Sequence, residues 1–332
     1  MKVLFIGGTG NISGASSRLA VERGIDLYHL NRGTQAPMPG VKSLSADIHD
    51  PVATAAALAG HEWDAVVDWI AYGPDAVERD VELFLGRTRQ YVFISSASCY
   101  QKPPRTPFIT EETPLENPYW EYSRNKIACE EAARRAHRER GFPVTIVRPS
   151  LTYERVIPVA LGGWADYTIV ERMKAGRKVV VHGDGTSLWT ITHAEDFALG
   201  FVGLLGRGEA VGEAYHITSD ECLTWDQIYR AVGAAAGVEA KLVHVPTDLI
   251  REVDAGAAAG ILGDKGWSAI FDNRKIKALV PGFKASIPFA EGIRRTVAWF
   301  EADPARRRIH EPNNLILDRI LERYARAFPG AL

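Results

Sequence analysis

Short apolar runs alternate with amphipathic stretches through the first half of the chain. Val3 to Ile6 is apolar without a break and stops at Gly7, the pattern of a strand buried on both faces of a parallel sheet. Ser16 to Arg23 reads as a helix with Gly24 as its C-cap. Leu27 to Leu30, Ala65 to Trp69 and Tyr91 to Ile94 read as further strands, with helices over Pro51 to Leu58 and Asp75 to Leu85 between them. A helix through Tyr122 precedes another strand over Val144 to Val147. Strand alternating with helix at this spacing predicts an α/β fold, a Rossmann-like doubly wound parallel sheet.

Beyond Pro149 the alternation loosens. Leu161 to Trp164 reads as a loop. Val179 to Val181, the segment through Ile191, and Tyr215 to Ile217 read as short strands. Ala194 to Leu205 and Trp225 to Ala236 read as helices. Mixed helices follow Pro246, ending in an amphipathic tail near Asn314 to Phe328. The Ala- and Gly-rich run Asp254 to Gly263 is the nearest approach to a flexible segment. The expected organisation is a dinucleotide-binding core mainly over residues 1–150 and a smaller mixed α/β substrate lobe mainly over 151–332, with some segments returning to the core.

Composition narrows the function classes. The 332 residues are 46% hydrophobic and 24% charged, ordinary globular values. The formal net charge of −2 gives no basic footprint, so no nucleic-acid partner is expected from charge. No apolar stretch reaches about 20 residues, so no membrane span is expected. The apolar start is short and runs into glycines, which reads as a buried strand rather than a signal peptide. Cys99, Cys129 and Cys222 are scattered and odd in number, consistent with reduced thiols in the cytoplasm. The nine histidines show no metal-ligand spacing, so no metal site is expected. The charged run Glu130 to Arg140 reads as a solvated helix face.

Two features carry chemistry. Gly7-Gly8-Thr9-Gly10-Asn11-Ile12-Ser13-Gly14 lies between a strand and a helix, where glycines allow a tight turn and close backbone approach to a pyrophosphate. The helix that follows offers free N–H groups and a positive dipole end. Tyr122 and Lys126 are four residues apart and share a helix face. A neighbouring ammonium favours phenolate; bringing a Tyr pKa to ~7 takes roughly 4 kcal/mol and yields a proton donor and acceptor usable at neutral pH. At the end of the second strand, Leu30-Asn31-Arg32-Gly33 lacks the acidic residue that would accept from the ribose hydroxyls of NAD. Arg32 is placed instead to meet a 2′-phosphate, which favours NADP, with NAD the alternative.

With these segments in order, the chain resembles an extended short-chain dehydrogenase/reductase of the NAD-dependent epimerase/dehydratase superfamily, over nearly its whole length. The loop resembles the family's GxxGxxG except that Ser13 replaces the last glycine, a change expected to loosen helix–strand packing at one point without preventing binding. Ala46-Asp47-Ile48 is similar to the segment that carries an aspartate near the adenine. Ile94 to Tyr100 resembles the strand end bearing the catalytic Ser, assigned by position to Ser96 with Ser95 as alternate. Tyr122 with Lys126, and Arg148 to Tyr153 beside the nicotinamide, complete the core set; Gly183 to Thr186, His193 to Asp196 and Phe271 to Ile276 match later regions.

The resemblance implies hydride transfer between nicotinamide C4 and a carbinol or carbonyl carbon. Tyr122 would act as acid/base, Lys126 would lower its pKa and hold the nicotinamide ribose, and Ser96 would bind the substrate oxygen. The implied cofactor residues are Gly7, Thr9, Gly10, Asn11, Ile12, Asn31, Arg32, Asp47, Ile48, Ile70, Ala71, Lys126, Pro149 and Leu151. The helix carrying Tyr122 commonly builds a dimer interface in the family, which implies a homodimer.

Departures from the family pattern narrow the chemistry. Ala97 and Ser98 stand where sugar-nucleotide 4,6-dehydratases carry an Asp-Glu pair, which argues against that elimination. Trp189 stands where many relatives use an Arg for the substrate diphosphate, although Arg172, Arg177 or Lys178 are candidates to compensate. An indole stacks on a ring but does not neutralise a phosphate. Trp120, Trp164 and Trp189 are therefore the candidate substrate contacts. His193 fits a core role. The expected activity is an oxidoreductase acting on a sugar-like or cyclic alcohol or ketone. One alternative is a sugar-nucleotide epimerase with bound NAD. Another is an RNA-binding or scaffold protein similar to the plant chloroplast stem-loop binding proteins, toward which Asn31-Arg32 and Trp189 point.

Overall fold

Val3, Leu4, Phe5 and Ile6 are each fully buried in β1 (Lys2–Ile6), because helices cover both faces of the sheet that β1 centres. The computed structural model describes residues 1–330. In chain order the other sheet strands are β2 (Asp26–Asn31), β3 (Lys42–Ser45), β4 (Ala65–Asp68), β5 (Tyr91–Ile94), β6 (Val144–Pro149) and β7 (Ala214–Ile217). They form one seven-stranded sheet in the order β3-β2-β1-β4-β5-β6-β7, with every pair parallel. The order reverses between β3 and β4, so the crevice outside the carboxyl ends of β1 and β4 is the topological switch point, where ligands bind in such sheets.

The connecting helices are α1 (Asn11–Glu22), α2 (Pro51–Ala57), α3 (Pro74–Phe84), α4 (Glu121–Arg140) and α5 (Ala194–Leu204). Helices α3 and α4 pack together on one face of the sheet, and α1 and α5 on the other. A third apolar core lies apart from these layers, built largely from residues between Tyr153 and Leu321. Strand β7 returns from that later part of the chain to pair with β6, Ile217 opposite Pro149.

Three segments differ from the sequence expectation. Strand β3, Lys-Ser-Leu-Ser, is a largely exposed edge strand with no apolar run to announce it. The Ala/Gly-rich run is ordered: helix Ala255–Gly260 continues into a π-helical turn, Ile261–Lys265. Gly263 makes this possible, since a Cβ there would stand 2.5 Å from Trp120 Cβ. The charged run is not a solvated face throughout. Glu130 is fully buried, and its carboxylate accepts from Arg148 Nε at 2.8 Å, Arg148 Nη2 at 2.6 Å and Ser95 Oγ at 2.6 Å.

That arrangement ties α4 to the carboxyl ends of β5 and β6. Both charges are buried, so removing one partner strands the other. Glu130→Ala is expected to cost about 3–5 kcal/mol, read from urea unfolding, whereas exposed Glu139→Ala should stay within about 0.5 kcal/mol. Equal stability of the two variants would refute the role given to the pair.

Candidate active site

The glycine loop runs from the end of β1 to the start of α1. Gly7 has φ of +83°, and a Cβ there would meet Ile70 Cγ2 at 2.6 Å. Gly8 lies against the His29 ring, whose Nε2 is 2.9 Å from Ser17 Oγ. Burial lowers the His29 pKa to about 4, so the ring is neutral. Ser13, expected to loosen the packing, closes the turn instead: its hydroxyl donates to Gly7 O at 3.0 Å and accepts from Gly10 N–H at 2.8 Å. The side chain that replaces a glycine adds two hydrogen bonds and is itself buried. Asn11 stitches the loop to a distant segment, donating to Thr152 O and accepting from the N–H groups of Glu154 and Arg155.

Two clefts meet at this loop, and Gly7, Gly10, Ile70 and Tyr72 line both. One, of about 510 Å³, is lined by Thr9, Asn31, Arg32, Asp47 and Ile48 among others. Arg32 is exposed there and has no ion pair among the described residues. Asp47 Oδ1 accepts from His49 N–H at 3.0 Å, and Ile48 is buried against the core. A loop that excludes side chains, a helix N-terminus and an adjoining cleft with a free guanidinium are what a dinucleotide needs.

The other cleft, of about 610 Å³, holds Ser96, Tyr122 and Lys126 together, with Ile12, Pro149 and Leu151 also in its wall. Ser95 lines it too, but its hydroxyl is committed to Glu130 at 2.6 Å. Ser96 Oγ lies 2.9 Å from Ser98 Oγ, which accepts from Ser123 Oγ at 2.8 Å. Ser96 is thus the serine left facing the cavity. Ala71 does not line either cleft; it is buried and contributes its carbonyl to Lys126.

The sequence argument about Tyr122 needs correction. Lys126 Nζ donates to Ala71 O at 2.7 Å and Ile94 O at 2.8 Å, and lies 6.0 Å from the Tyr122 ring centroid. Burial raises the Tyr122 pKa above the ordinary phenol value, outweighing the hydrogen bond from Ser96, which works the other way. In the protein by itself Tyr122 is therefore a protonated donor. Burial also lowers the Lys126 pKa. Tyr72, which sequence reasoning missed, places its ring 4.7 Å from Lys126 Nζ.

Trp120, Trp164 and Trp189 all line this second cleft. Trp164 is 38% exposed and open to a ligand. The Trp120 ring lies 4.8 Å from that of Tyr122. Trp189 lines the cavity but is only 1% exposed and stacks on Trp225 at 6.1 Å, so it has little ring face to offer a substrate. The proposed cationic substitutes lie elsewhere: Arg172 and Arg177 both pair with Asp318, and Lys178 does not line the cavity. His193 caps α5, accepting from Glu195 N–H at 3.3 Å. Asp264 and Lys265, unforeseen from sequence, complete the wall.

Comparison with known proteins agrees with this fold. The family model for the NAD dependent epimerase/dehydratase family matches residues 3–218. The chain is 27% identical over 73% of its length to the chloroplast stem-loop binding protein of 41 kDa b from Arabidopsis thaliana, and the match spans 65% of that relative. A dTDP-glucose 4,6-dehydratase from Bacillus anthracis in complex with NAD superposes with a TM-score of 0.72 at 19% identity, covering 92% of this chain and 98% of the other. The UDP-glucose 4-epimerase of Thermus thermophilus in complex with NAD gives 0.71 at 19% identity, covering 91% and 99%. With the fold, the glycine loop and the matched length in agreement, the chain belongs to the NAD dependent epimerase/dehydratase family, enzymes of the short-chain dehydrogenase/reductase type.

Proposed function

We propose that this protein is an NADP-preferring oxidoreductase that moves a hydride to or from a sugar-like or cyclic alcohol or ketone. The observation that carries the reading is the convergence of Ser96, Tyr122 and Lys126 on one cavity that opens onto the glycine loop. A bound nicotinamide dinucleotide supplies the hydride acceptor or donor. The loop and the start of α1 bind its pyrophosphate, and Arg32 bonds a 2′-phosphate in the adjoining cleft. Ser96 hydrogen-bonds the substrate oxygen and Tyr122 exchanges its proton with that oxygen. Lys126 ties the segment after β4 to the end of β5 through its two carbonyl contacts and lines the cavity beside Tyr122. The residues after Ser96 argue against elimination by an acid–base pair there, since Ala97 has no proton to give and Ser98 is bonded to Ser96 and Ser123.

The NAD complex of the structurally similar epimerase favours a second reading, epimerisation with retained NAD. Purified protein carrying stoichiometric dinucleotide, with no net change in cofactor absorbance on turnover, would select it. The similarity to a stem-loop binding protein supports RNA binding as a third. Specific retention of a stem-loop RNA in filter binding at physiological salt would favour that reading over the enzyme.

Tyr122→Phe should reduce turnover by about 10²–10⁴-fold while leaving the NADPH dissociation constant unchanged; retained turnover would remove Tyr122 from the role. Arg32→Ala should weaken NADPH by about tenfold to 100-fold and leave NADH unaffected. An unchanged NADPH preference in that titration would sink the assignment. Without cofactor, the wild-type minus Tyr122→Phe difference spectrum should show no phenolate up to about pH 9, because burial holds the phenol above its ordinary pKa of about 10. A phenolate band near neutral pH would contradict this.

A further inference from the structure

We propose that Ser17 and His29 are positioning residues for the dinucleotide: a buried hydrogen-bond chain from the His29 ring through the Ser17 hydroxyl to the Gly8 carbonyl holds the glycine loop in its ligand-binding shape. This goes beyond the hydride-transfer reading and rests on one part of it, that the loop binds a pyrophosphate.

The chain of bonds starts in the sheet. His29 lies on β2 opposite Phe5 of β1, and the two rings stack with centroids 6.0 Å apart and 10° between their planes. Ser17 lies on α1, whose Ala20 packs in the same core as Phe5. Ser17 and His29 are 0% and 1% exposed. Burying polar side chains is costly unless each is bonded, and an apolar pair would fill this layer without that cost. The polar atoms are instead turned to the loop. Ser17 Oγ donates to Gly8 O at 3.0 Å and lies 2.9 Å from His29 Nε2. A hydroxyl has a single proton to give. With that proton on the Gly8 carbonyl, Ser17 accepts from His29 Nε2–H, and this tautomer satisfies all three groups. The neutral ring, its pKa lowered to about 4 by burial, has one N–H to place there.

The consequence lies in the peptide planes. A trans peptide sets its C=O and N–H on opposite sides. Ser17 draws the Gly8 carbonyl toward α1, so the Thr9 N–H of the same peptide faces the other way. Ser13, one turn earlier on the same helix face, holds Gly7 O at 3.0 Å and so directs the Gly8 N–H. Thr9 is exposed and lines the cleft that contains Arg32. Gly8 is required, because a Cβ there would stand 2.2 Å from His29 Nε2. His29 also lies just before Asn31 and Arg32, so the ring under the loop is fixed to a strand end that lines the same cleft.

Equilibrium titration of the full chain with NADPH and with NADH tests the inference. Ser17→Ala should weaken both dinucleotides alike, by about tenfold, whereas Arg32→Ala acts on NADPH alone. His29→Leu should weaken both by about threefold to tenfold. His29→Gln, whose amide N–H reaches the place of Nε2–H, should stay within about twofold of wild type. The double variant Ser17→Ala/His29→Leu leaves no ring N–H unpaired. Its urea midpoint should recover toward wild type while its dinucleotide affinity stays as weak as that of Ser17→Ala. A merely structural pair would recover affinity together with stability. Nitrogen NMR should find the His29 proton on Nε2, in the signal that His29→Gln removes. If Ser17→Ala does not fold, His29→Gln against His29→Leu decides. Wild-type affinity in Ser17→Ala and His29→Leu, affinity recovered with stability in the double variant, or a proton on Nδ1 would overturn the inference and leave the proposed function standing. A wild-type protein that binds neither dinucleotide would overturn both.

Discussion

The buried pair of Glu130 and Arg148 is the constraint on which the geometry of the candidate site depends. Arg148 lies on β6, Glu130 on α4, and the same carboxylate takes the Ser95 hydroxyl at the end of β5. A buried pair of this kind is a poor source of net stability, because desolvation consumes most of the Coulomb gain. Its value is positional. Both guanidinium contacts and the serine contact are satisfied only at one rotation and one height of α4 relative to the strand ends. Tyr122 and Lys126 lie two turns and one turn earlier on the same helix, so their placement over the switch point follows from that lock.

A second link runs through Lys126. The sequence argument treats it as a charge beside a phenol. The structure uses it as a tie between the segment after β4 and the end of β5, through the carbonyls of Ala71 and Ile94. An ammonium with two carbonyl acceptors is oriented, and its field is fixed relative to the cavity. Desolvation decides the protonation of Tyr122, since the phenol is buried and the ammonium is directed elsewhere. The pair is thus a positioned donor and a structural cation; spacing on a helix face identifies such a pair but does not weigh burial against charge.

What is legible in the sequence follows from how local the cause is. Val3 to Ile6, Tyr91 to Ile94 and the glycine loop depend on neighbours within a few residues, and they appear where the pattern places them. Strand β3 is not legible because its stability comes from pairing with β2 rather than from its own apolar residues. Glu130 sits among charges in sequence and is buried only because Arg148 reaches it from another element. Ser13 escapes a sequence reading for a related reason. Losing a glycine reads as lost packing, and the two hydrogen bonds that its hydroxyl makes are visible only once the loop is closed.

The same distinction separates the two halves of the cavity. The half beside the glycine loop is made mostly of backbone and of residues adjacent to strand ends, so a local motif specifies it. The other half joins Trp120, Trp164, Asp264 and Lys265, which are brought together by contacts such as Asn117 to Gly263, 146 residues apart in sequence. No short motif encodes such a wall. Ser98 shows the consequence at the boundary: its side chain belongs to the local hydroxyl chain with Ser96 and Ser123, while its carbonyl is held by the amide that fixes the distant turn. The half beside the glycine loop is therefore legible in the sequence, while the half that the turn after Gly260 completes is legible only once the chain has folded.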